Sequence, residues 1–460
     1  ELDAYLARGY ARDQRVGRSG LEKWGEEILA GRNGGQLTLL DVQGNPLRAI
    51  ASGQPTPAQD IYTTVDFAFQ QDVQFALGDF ASAAVVLNRD TGEVLALASS
   101  PAYDPNWFDP NNANLAGLGQ FFSDPSEPLV DRAAQSSYPA GSIFKVVTMS
   151  AALTSKLFTP GTEYNCTGTW EEIPGLVLED WKEGGHGILT LTEGLSASCN
   201  PWFWHIGYGL FNFHPNWLSE TARGFGLGQA TGIPHIDETP GQIPDPDWKR
   251  QVKGENWEPL DSLNLSIGQG DVLVTPLQIA RLMAAVGNGG ALLQPQLVLR
   301  IAPPEGEPTF EFEPIEVGKL PLDETQLAAL QEGLYNVTQE PIGTARNRFR
   351  GLPRWLNIAG KTGTAEDPGY YGEQEPHSWF AGYTLADLPD QPDIAIAVIV
   401  SNQGQGSEFA APIFRRIVES YFGLPLSRYP WELSVGVVRP PEPTPAEGAP
   451  EGAETPTPVP

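Results

Sequence analysis

Ser142 and Lys145 stand three residues apart at the start of a segment, Ser142–Leu153, whose apolar spacing and alanine content predict a buried helix. Residues three apart share one face of a helix, so the two side chains can touch. A serine hydroxyl is a weak nucleophile until a neighbour takes its proton, and a buried lysine can be neutral enough to do so. Alone, the pair often arises by chance and then marks only a capped, solvated helix turn.

Ser198 and Asn200 close a second predicted helix, Leu189–Ser198. A hydroxyl and an amide at this spacing are suited to relaying a proton and holding a substrate amide. The alternative interpretation of these residues, taken alone, is an ordinary helix cap.

A third cluster of polar side chains, Lys361–Thr364, lies at the start of a predicted strand, Ala359–Ala365. It offers a cation, two hydroxyls at Thr362 and Thr364, and a glycine at 363 that lets a ligand lie against the strand edge. This set suits a substrate carboxylate. A phosphate-binding loop would need glycine at position 355, which is Trp355, so a nucleotide site is excluded.

The composition limits the kind of protein that carries these clusters. The 28 Lys and Arg against 57 Asp and Glu give a net charge of −29, which repels nucleic acid and anionic lipid and excludes a nucleic-acid-binding protein. The two cysteines exclude a disulfide scaffold but permit one bridge or half of a metal site. The longest apolar run, Ile394–Val400, is shorter than the roughly 20 residues that span a bilayer.

Strand signals at both ends of the chain enclose a helix-rich middle. The N-terminal part predicts a helix at Gly20–Gly31, a glycine-rich hairpin across 33–45 and a strand-to-helix passage at Ile61–Phe75. A central antiparallel sheet is then predicted. Its segments are the hairpin Ser82–Leu87 and Glu93–Ala98 and the strands Ala359–Ala365, Trp379–Thr384 and Ile394–Val400, followed by a helix at Ala411–Tyr421. The segment 166–187 is predicted to be irregular.

The three clusters together, in this order, are far more specific than any one of them. With them the chain resembles a class B penicillin-binding protein, a peptidoglycan D,D-transpeptidase, and is most similar to the penicillin-binding protein 2 (elongation) branch. Further segments support the resemblance, and they are Gly20–Lys23, Ser266–Gly270, Thr275–Gln278 and His377–Gly382. One departure is Asn200-Pro201-Trp202, where family members more often place a small hydroxyl residue before the aromatics.

The resemblance implies an α/β fold, the penicillin-binding transpeptidase (serine β-lactamase-like) fold. We expect a five-stranded antiparallel sheet flanked by helices, a helical subdomain carrying Ser198, and an N-terminal pedestal fragment. The expected domains are the C-terminal part of a pedestal or dimerisation domain at 1–60 and the transpeptidase domain at 61–425. Residues 426–460 form a tail rich in proline and glutamate that we expect to be disordered.

The resemblance also assigns roles to the first two clusters. Ser142 would be the nucleophile that is acylated, and Lys145 the base that takes its proton. Ser198 would pass that proton to the departing D-alanine, and Asn200 would hold the amide of the stem peptide.

The third cluster would bind the end of the substrate. Lys361 would keep Lys145 neutral and attract the terminal carboxylate, which Thr362 and Thr364 would bind. Gly363 leaves room for the substrate at the strand edge. The backbone N–H groups of Ser142 and Thr364 would form the oxyanion hole.

Cys166, Asp180, His186 and Cys199 lie between the first cluster and the end of the second. Some penicillin-binding protein 2 members have a comparable structural zinc site, and two thiolates, an imidazole and a carboxylate suit tetrahedral zinc. A Cys166–Cys199 disulfide and two inert buried thiols stay open as alternatives. No cofactor is expected for catalysis itself.

The function implied is cross-linking of stem peptides through a serine acyl-enzyme with release of D-alanine, and β-lactams would acylate the same serine. The alternatives are a serine β-lactamase or D,D-carboxypeptidase, and a non-catalytic sensor of β-lactams or muropeptides. The implied partner is a polytopic lipid II polymerase of the elongation machinery. The implied location is the extracytoplasmic face of the bacterial cell membrane, with an N-terminal anchor outside this chain.

Overall fold

The structure is a computed structural model that describes residues 2–12, 14–109, 111, 115–366 and 375–432. Residues 1–427 form one compact unit, and a second unit begins at Arg428. Within the second unit the rings of Tyr429 and Trp431 stack with their centroids 4.6 Å apart. From position 433 onward the tail predicted to be disordered, 426–460, lies outside the described residues, and its state stays a prediction.

Helices and strands are numbered in chain order. The helices are α1 (Leu2–Ala7), α2 (Gly20–Ala30), α3 (Phe67–Leu77), α4 (Leu115–Phe122), α5 (Lys145–Thr154), α6 (Leu191–Ala197), α7 (Asn200–Phe213), α8 (Trp217–Gly224), α9 (Pro246–Val252), α10 (Pro259–Ser266), α11 (Pro276–Gly287), α12 (Glu324–Gln339), α13 (Arg346–Phe349) and α14 (Ala410–Tyr421). The strands are β1 (Gly35–Leu40), β2 (Pro46–Gly53), β3 (Asp60–Thr63), β4 (Ser82–Asn88), β5 (Val94–Ser100), β6 (Glu163–Cys166), β7 (Thr169–Trp170), β8 (Leu178–Glu179), β9 (Gly187–Thr190), β10 (Ala291–Leu293), β11 (Val298–Ala302), β12 (Phe310–Glu311), β13 (Glu316–Lys319), β14 (Asn357–Ala365), β15 (His377–Leu385) and β16 (Ile394–Val400). The segments Pro105–Phe108 and Gly141–Phe144 are 3-10 turns.

A five-stranded antiparallel sheet, in the order β14-β15-β16-β4-β5, forms the centre of the first unit. Every residue of β4 and β16 is buried, because both faces of these inner strands are covered. The predicted hairpin and the three predicted C-terminal strands are therefore confirmed. β14, which carries Lys361–Thr364, lies at one edge of the sheet.

Helices cover both faces of this sheet, as predicted for the α/β fold. Trp379 of β15 belongs to the core that includes the side chains of α11. Its neighbour Phe380 points to the opposite face, since successive side chains of a strand alternate. There its ring packs against Phe414 of α14, with centroids 4.7 Å apart. α3 packs on β5 and α14 from the same side.

The helical part lies between β5 and β14, and its second predicted helix begins later than expected. Leu189 and Thr190 end β9, which pairs with β6, and the helix begins at Leu191. The cause is a capping box: the Glu193 N–H donates to the Thr190 hydroxyl, and the Thr190 N–H donates to the Glu193 carboxylate. The segment predicted to be irregular, 166–187, contains the short hairpin of β7 and β8.

The N-terminal part forms the predicted hairpin from β1 and β2 and packs against the helical part through β3 and α2. β3 pairs with β11. Trp24 of α2 packs edge-on against His235, with ring centroids 4.4 Å apart. The predicted helix at Gly20–Gly31 is confirmed as α2.

Candidate active site

Ser142 lies in a 3-10 turn, Gly141–Phe144, and the α-helix begins only at Lys145. The prediction that the helix begins at Ser142 is therefore wrong by three residues. In 3-10 geometry, residues three apart eclipse each other, so Ser142 and Lys145 still lie on the same face of the turn.

The turn that carries Ser142 is held from two directions. Gly141 has a φ of +52°, in the region that favours glycine, and its N–H donates to the Gly268 carbonyl oxygen at 2.8 Å. The indole N–H of Trp379 donates to the Pro139 carbonyl oxygen at 3.0 Å. These bonds fix the turn against the central sheet and against the loop that begins α11.

Lys145 is fully buried and points at the second cluster. Its Nζ donates to the Asn200 side-chain oxygen at 2.6 Å, to the Ser198 carbonyl oxygen at 2.8 Å and to the Ser198 Oγ at 3.2 Å. Burial away from water lowers the pKa of Lys145 to about 7, although the Asp180 carboxylate acts in the opposite direction. A substantial neutral fraction therefore exists near neutral pH, which is what a base requires.

The bend between α6 and α7 presents Ser198 and Asn200 to this lysine. Ser198 ends α6 in the left-handed conformation, with a φ of +55°. Cys199 then caps the N-terminus of α7, and its Sγ accepts the Trp202 N–H at 3.4 Å. The Asn200 N–H donates to Asp180 Oδ1 at 3.1 Å, which ties the bend to the loop after β8.

Lys361 and Thr362 stand on the edge strand β14. Lys361 is fully buried, and its Nζ donates to the Thr362 carbonyl oxygen at 3.0 Å. Burial lowers the pKa of Lys361 well below its usual range, and the charge of Lys145 acts in the same direction. The Thr362 hydroxyl lies 2.7 Å from the hydroxyl of Thr344.

Gly363 allows the serine turn to lie directly on β14. A Cβ at this position would stand 2.8 Å from the Trp379 Cβ and 2.9 Å from the Ile143 Cγ1. Neither atom is the end of a long flexible side chain. The glycine of the third cluster therefore brings the strand and the first cluster into contact.

The structure gathers all eight predicted active-site residues at one cleft of about 480 Å³. The cleft is lined by five of them, namely Ser142, Ser198, Asn200, Thr362 and Thr364. Lys145, Lys361 and Gly363 are buried residues in direct contact with these or with the serine turn.

Sequence reasoning missed several residues that line the same cleft. They are Glu179, Trp181, Ile267, Gln269, Thr344, Glu366, Gln405, Gly406 and Ser407. The indole N–H of Trp181 donates to the Ser198 carbonyl oxygen at 3.2 Å. Ile267 and Gln269 lie within Ser266–Gly270, a segment that supports the family resemblance, whereas no motif surrounds Thr344.

The four candidate zinc ligands also converge. The structure joins Cys166 and Cys199 in a disulfide, and one ligand atom from each cysteine and from Asp180 lie within 4.8 Å of one another. His186 Nε2 lies 3.0 Å from Asp180 Oδ2 in an orientation that makes no hydrogen bond. Both atoms are buried, and neither has another hydrogen-bond partner in the described part of the chain.

Two family profiles match the sequence. The penicillin-binding protein dimerisation domain matches residues 1–63, and the penicillin binding protein transpeptidase domain matches residues 82–419. The chain belongs to the penicillin-binding protein transpeptidase family. The prediction made from the three clusters is confirmed, and so is the penicillin-binding transpeptidase fold.

Comparison with individual proteins shows that this chain is similar to penicillin-binding protein 2. Peptidoglycan D,D-transpeptidase MrdA of Haemophilus influenzae is 31% identical over 428 residues, which are 90% of this chain. The chain spans 64% of the length of that relative. Penicillin-binding protein 2 of Helicobacter pylori, solved in complex with MreC, superposes with a TM-score of 0.76 at 25% identity, covering 92% of this chain and 74% of the other.

A second similar structure is a chain from a study of how a peptidoglycan synthase complex coordinates polymerization and crosslinking. It superposes on this chain with a TM-score of 0.75 at 33% identity, covering 92% of this chain and 73% of that one. Among the described residues, no helix has both the length and the apolar character needed to cross a bilayer.

Proposed function

We propose that this penicillin-binding protein transpeptidase cross-links peptidoglycan stem peptides through a serine acyl-enzyme and is the target of β-lactams. The observation that carries the proposal is the position of Lys145. Its buried Nζ is bonded to Ser198 and Asn200 at the cleft that Ser142 lines. A neutral lysine beside a serine nucleophile and a second hydroxyl supplies the proton transfers that acyl transfer requires.

In the first step, Ser142 Oγ bonds to the carbonyl carbon of the penultimate D-alanine while Lys145 takes the hydroxyl proton. The carbonyl oxygen becomes an oxyanion, to which the backbone N–H groups of Ser142 and Thr364 donate. One such donor is typically worth about 3 kcal/mol in the transition state.

The intermediate then collapses, and the bond to the terminal D-alanine breaks. The departing amine receives the proton from Lys145 by way of the Ser198 hydroxyl. The amine of a second stem peptide then attacks the ester carbon and gives a proton to Lys145. An amide forms, and the Ser142 oxygen leaves and takes that proton from Lys145. Asn200 would hold the donor peptide amide throughout.

Lys361, Thr362 and Thr364 would bind the end of the donor peptide. The two hydroxyls donate to the terminal carboxylate, and Lys361 supplies positive potential from beneath. The same potential would favour the neutral form of Lys145, because two like charges disfavour each other, and the charge of Lys145 does lower the pKa of Lys361.

Two alternatives use the same acylation chemistry. A β-lactamase or D,D-carboxypeptidase would let water attack the acyl-enzyme, and a sensor would be acylated once without turnover. The match of a dimerisation domain to residues 1–63 favours the synthase, because free-standing β-lactamases are compact catalytic units.

Intact mass after incubation with a penicillin tests the proposal, using the wild type, Ser142→Ala and Ser407→Ala. Ser407 lines the same cleft without a proposed role. We expect one adduct that persists for hours in the wild type and in Ser407→Ala and is absent from Ser142→Ala. An adduct that disappears as the drug is consumed indicates a β-lactamase, and no adduct in any protein contradicts the proposal.

A structural zinc ion is proposed for Cys166, Asp180, His186 and Cys199. A disulfide uses both sulfurs but leaves the buried Asp180 Oδ2 and His186 Nε2, 3.0 Å apart, without a hydrogen bond, which is costly. Two thiolates, the imidazole and the carboxylate would satisfy all four groups around one zinc. The ion would brace the bend that carries Ser198 and Asn200, because Cys199 lies between them.

For its partner we propose a polytopic lipid II polymerase, and for its location the extracytoplasmic face of the cell membrane. The similarity to a chain of a peptidoglycan synthase complex supports both. Addition of such a polymerase and lipid II should yield cross-linked strands with the wild type and uncross-linked strands with Ser142→Ala. Acylation without any cross-linked product would favour the sensor.

A further inference from the structure

A run of cationic residues stands out in this acidic chain. Residues 341–365 contain no Asp or Glu, whereas the whole chain has a net charge of −29. The cations of the run are Arg346, Arg348, Arg350, Arg354 and Lys361. Such a local reversal of charge creates a positive potential that attracts anions to one place on a surface that otherwise repels them.

Three of these arginines line a cleft of their own. Arg346, Arg350 and Arg354 surround a space of about 380 Å³ between the end of α12 and the start of β14, which we term the arginine cleft. Gln339 and Asn357 add polar groups to its lining. In the described part of the chain, no carboxylate lies within ion-pair distance of the three guanidinium groups.

Only some of these arginines form hydrogen bonds that stabilise the fold. Arg348 Nε donates to the Ser407 carbonyl oxygen at 2.7 Å, and Arg346 Nε donates to the Gln339 carbonyl oxygen at 3.0 Å. Arg350 and Arg354 are exposed. Within the described residues, no hydrogen bond from either guanidinium to the protein is present.

The arginine cleft adjoins the catalytic cleft. Thr344 lines the catalytic cleft and is bonded to Thr362, and Arg346 follows it by two residues. Two residues span at most about 7 Å of chain. β14 also runs between the two clefts, from Asn357 at the arginine cleft to Thr362 at the catalytic cleft, a distance of about 17 Å at the usual rise of a strand.

We propose that the arginine cleft is a second substrate subsite, which binds carboxylates of peptidoglycan stem peptides while the peptide end lies at Ser142. The inference rests on the proposed function. Guanidinium groups bind carboxylates through paired, charge-assisted hydrogen bonds. An extended pentapeptide spans about 17 Å, so the glycan strand that carries it can reach both clefts.

The test measures binding of soluble, uncross-linked peptidoglycan strands to protein that a penicillin has already acylated, so the catalytic cleft is blocked. The variants are Arg350→Gln with Arg354→Gln, against Arg12→Gln with Arg48→Gln. The control pair removes two exposed charges from the N-terminal part. We expect the first pair to weaken binding by at least about tenfold and the control to change it by less than about twofold.

Chemical amidation of the strand carboxylates should weaken binding to the wild type as much as the arginine substitutions do. Equal binding by all variants, or binding of inorganic polyphosphate but not of strands, would overturn the inference. Both outcomes leave acylation of Ser142 intact. Failure of the proposed function would appear separately, as the absence of a penicillin adduct, and strand binding would then be measured on unacylated protein.

Discussion

The Gly141 N–H donates to the Gly268 carbonyl oxygen at 2.8 Å, and the backbones of these two glycines are in close contact. A Cβ at Gly268 would stand 2.1 Å from the Gly141 carbonyl oxygen and 2.7 Å from the Phe144 Cβ. The loop before α11 therefore fixes the position of the turn that carries Ser142.

Gly268→Ala should disrupt acylation, because the backbone next to Ser142 must move to admit the methyl group. A displacement of about 1 Å can cost on the order of a hundredfold in rate, so we expect at least a tenfold fall in the rate of penicillin acylation. Gly254→Ala is the matched control. Its φ of +72° is close to the +74° of Gly268, but nothing lies within 4 Å of the added Cβ.

The control should lose only about 1 kcal/mol of unfolding free energy through backbone strain and keep its acylation rate. Equal acylation by both variants would show that the glycine contact does not position the serine.

The rate of acylation should rise with pH and level off above about 7. Burial lowers the pKa of Lys145 to about 7, and only the neutral amine can take the Ser142 proton. Lys145→Arg, which stays protonated, should lose about two to four orders of magnitude at every pH. Stopped-flow acylation by a fluorescent penicillin between pH 5.5 and 9 measures both, and a flat wild-type profile would argue against Lys145 as the base.

Acid should weaken the region where α2 meets the helical part. His235 is 2% exposed, and burial lowers its pKa to about 4. In the unfolded chain this imidazole is protonated near pH 6.5, whereas in the folded chain it stays neutral down to about pH 4. The contribution of His235 to the unfolding free energy is therefore complete above about pH 6.5 and is lost as the pH falls towards 4. The loss is at most about 3 kcal/mol.

His235→Phe keeps a ring against Trp24 but does not titrate, so its unfolding free energy should fall less between pH 6.5 and 4 than that of the wild type. Denaturant unfolding at several pH values gives the difference. His214→Phe, at an exposed histidine, should follow the wild type. A curve for His235→Phe parallel to the wild type would refute the assignment.

Local patterns predicted much of the fold. The hairpin of β4 and β5 follows from two apolar runs around Asn88–Gly92, and β16 from an unbroken apolar run. The convergence of Ser142, Ser198 and Lys361 came from the family resemblance, since no spacing in the sequence places three distant segments at one cleft.

Tertiary contacts decided what the sequence analysis missed. Thr344 reaches the catalytic cleft only because the loop after α12 packs beside β14, where its hydroxyl meets Thr362. The late start of α6 could have been predicted from the sequence, because Thr190 and Glu193 have the spacing of a capping box. The arginine cleft carries a clear charge signal in sequence, but the cavity itself exists only in the packed chain.

Zinc content should decide among the three uses of Cys166 and Cys199. If the ion is bound, protein purified without chelator contains about one zinc per chain by elemental analysis. Its removal by a strong chelator should lower the unfolding free energy by several kcal/mol, on the order expected for a structural site. Cys166→Ser and His186→Ala should lose the metal.

His205→Ala is the control, because His205 pairs with Glu172 at 2.7 Å and is not among the proposed ligands. It should keep the zinc. No metal and no titratable thiol in the denatured protein would establish the disulfide, and no metal with two thiols would establish free cysteines. Either result would remove zinc as the brace of Ser198 and Asn200, and the hydrogen bond from the Asn200 N–H to Asp180 would then hold that bend without a metal.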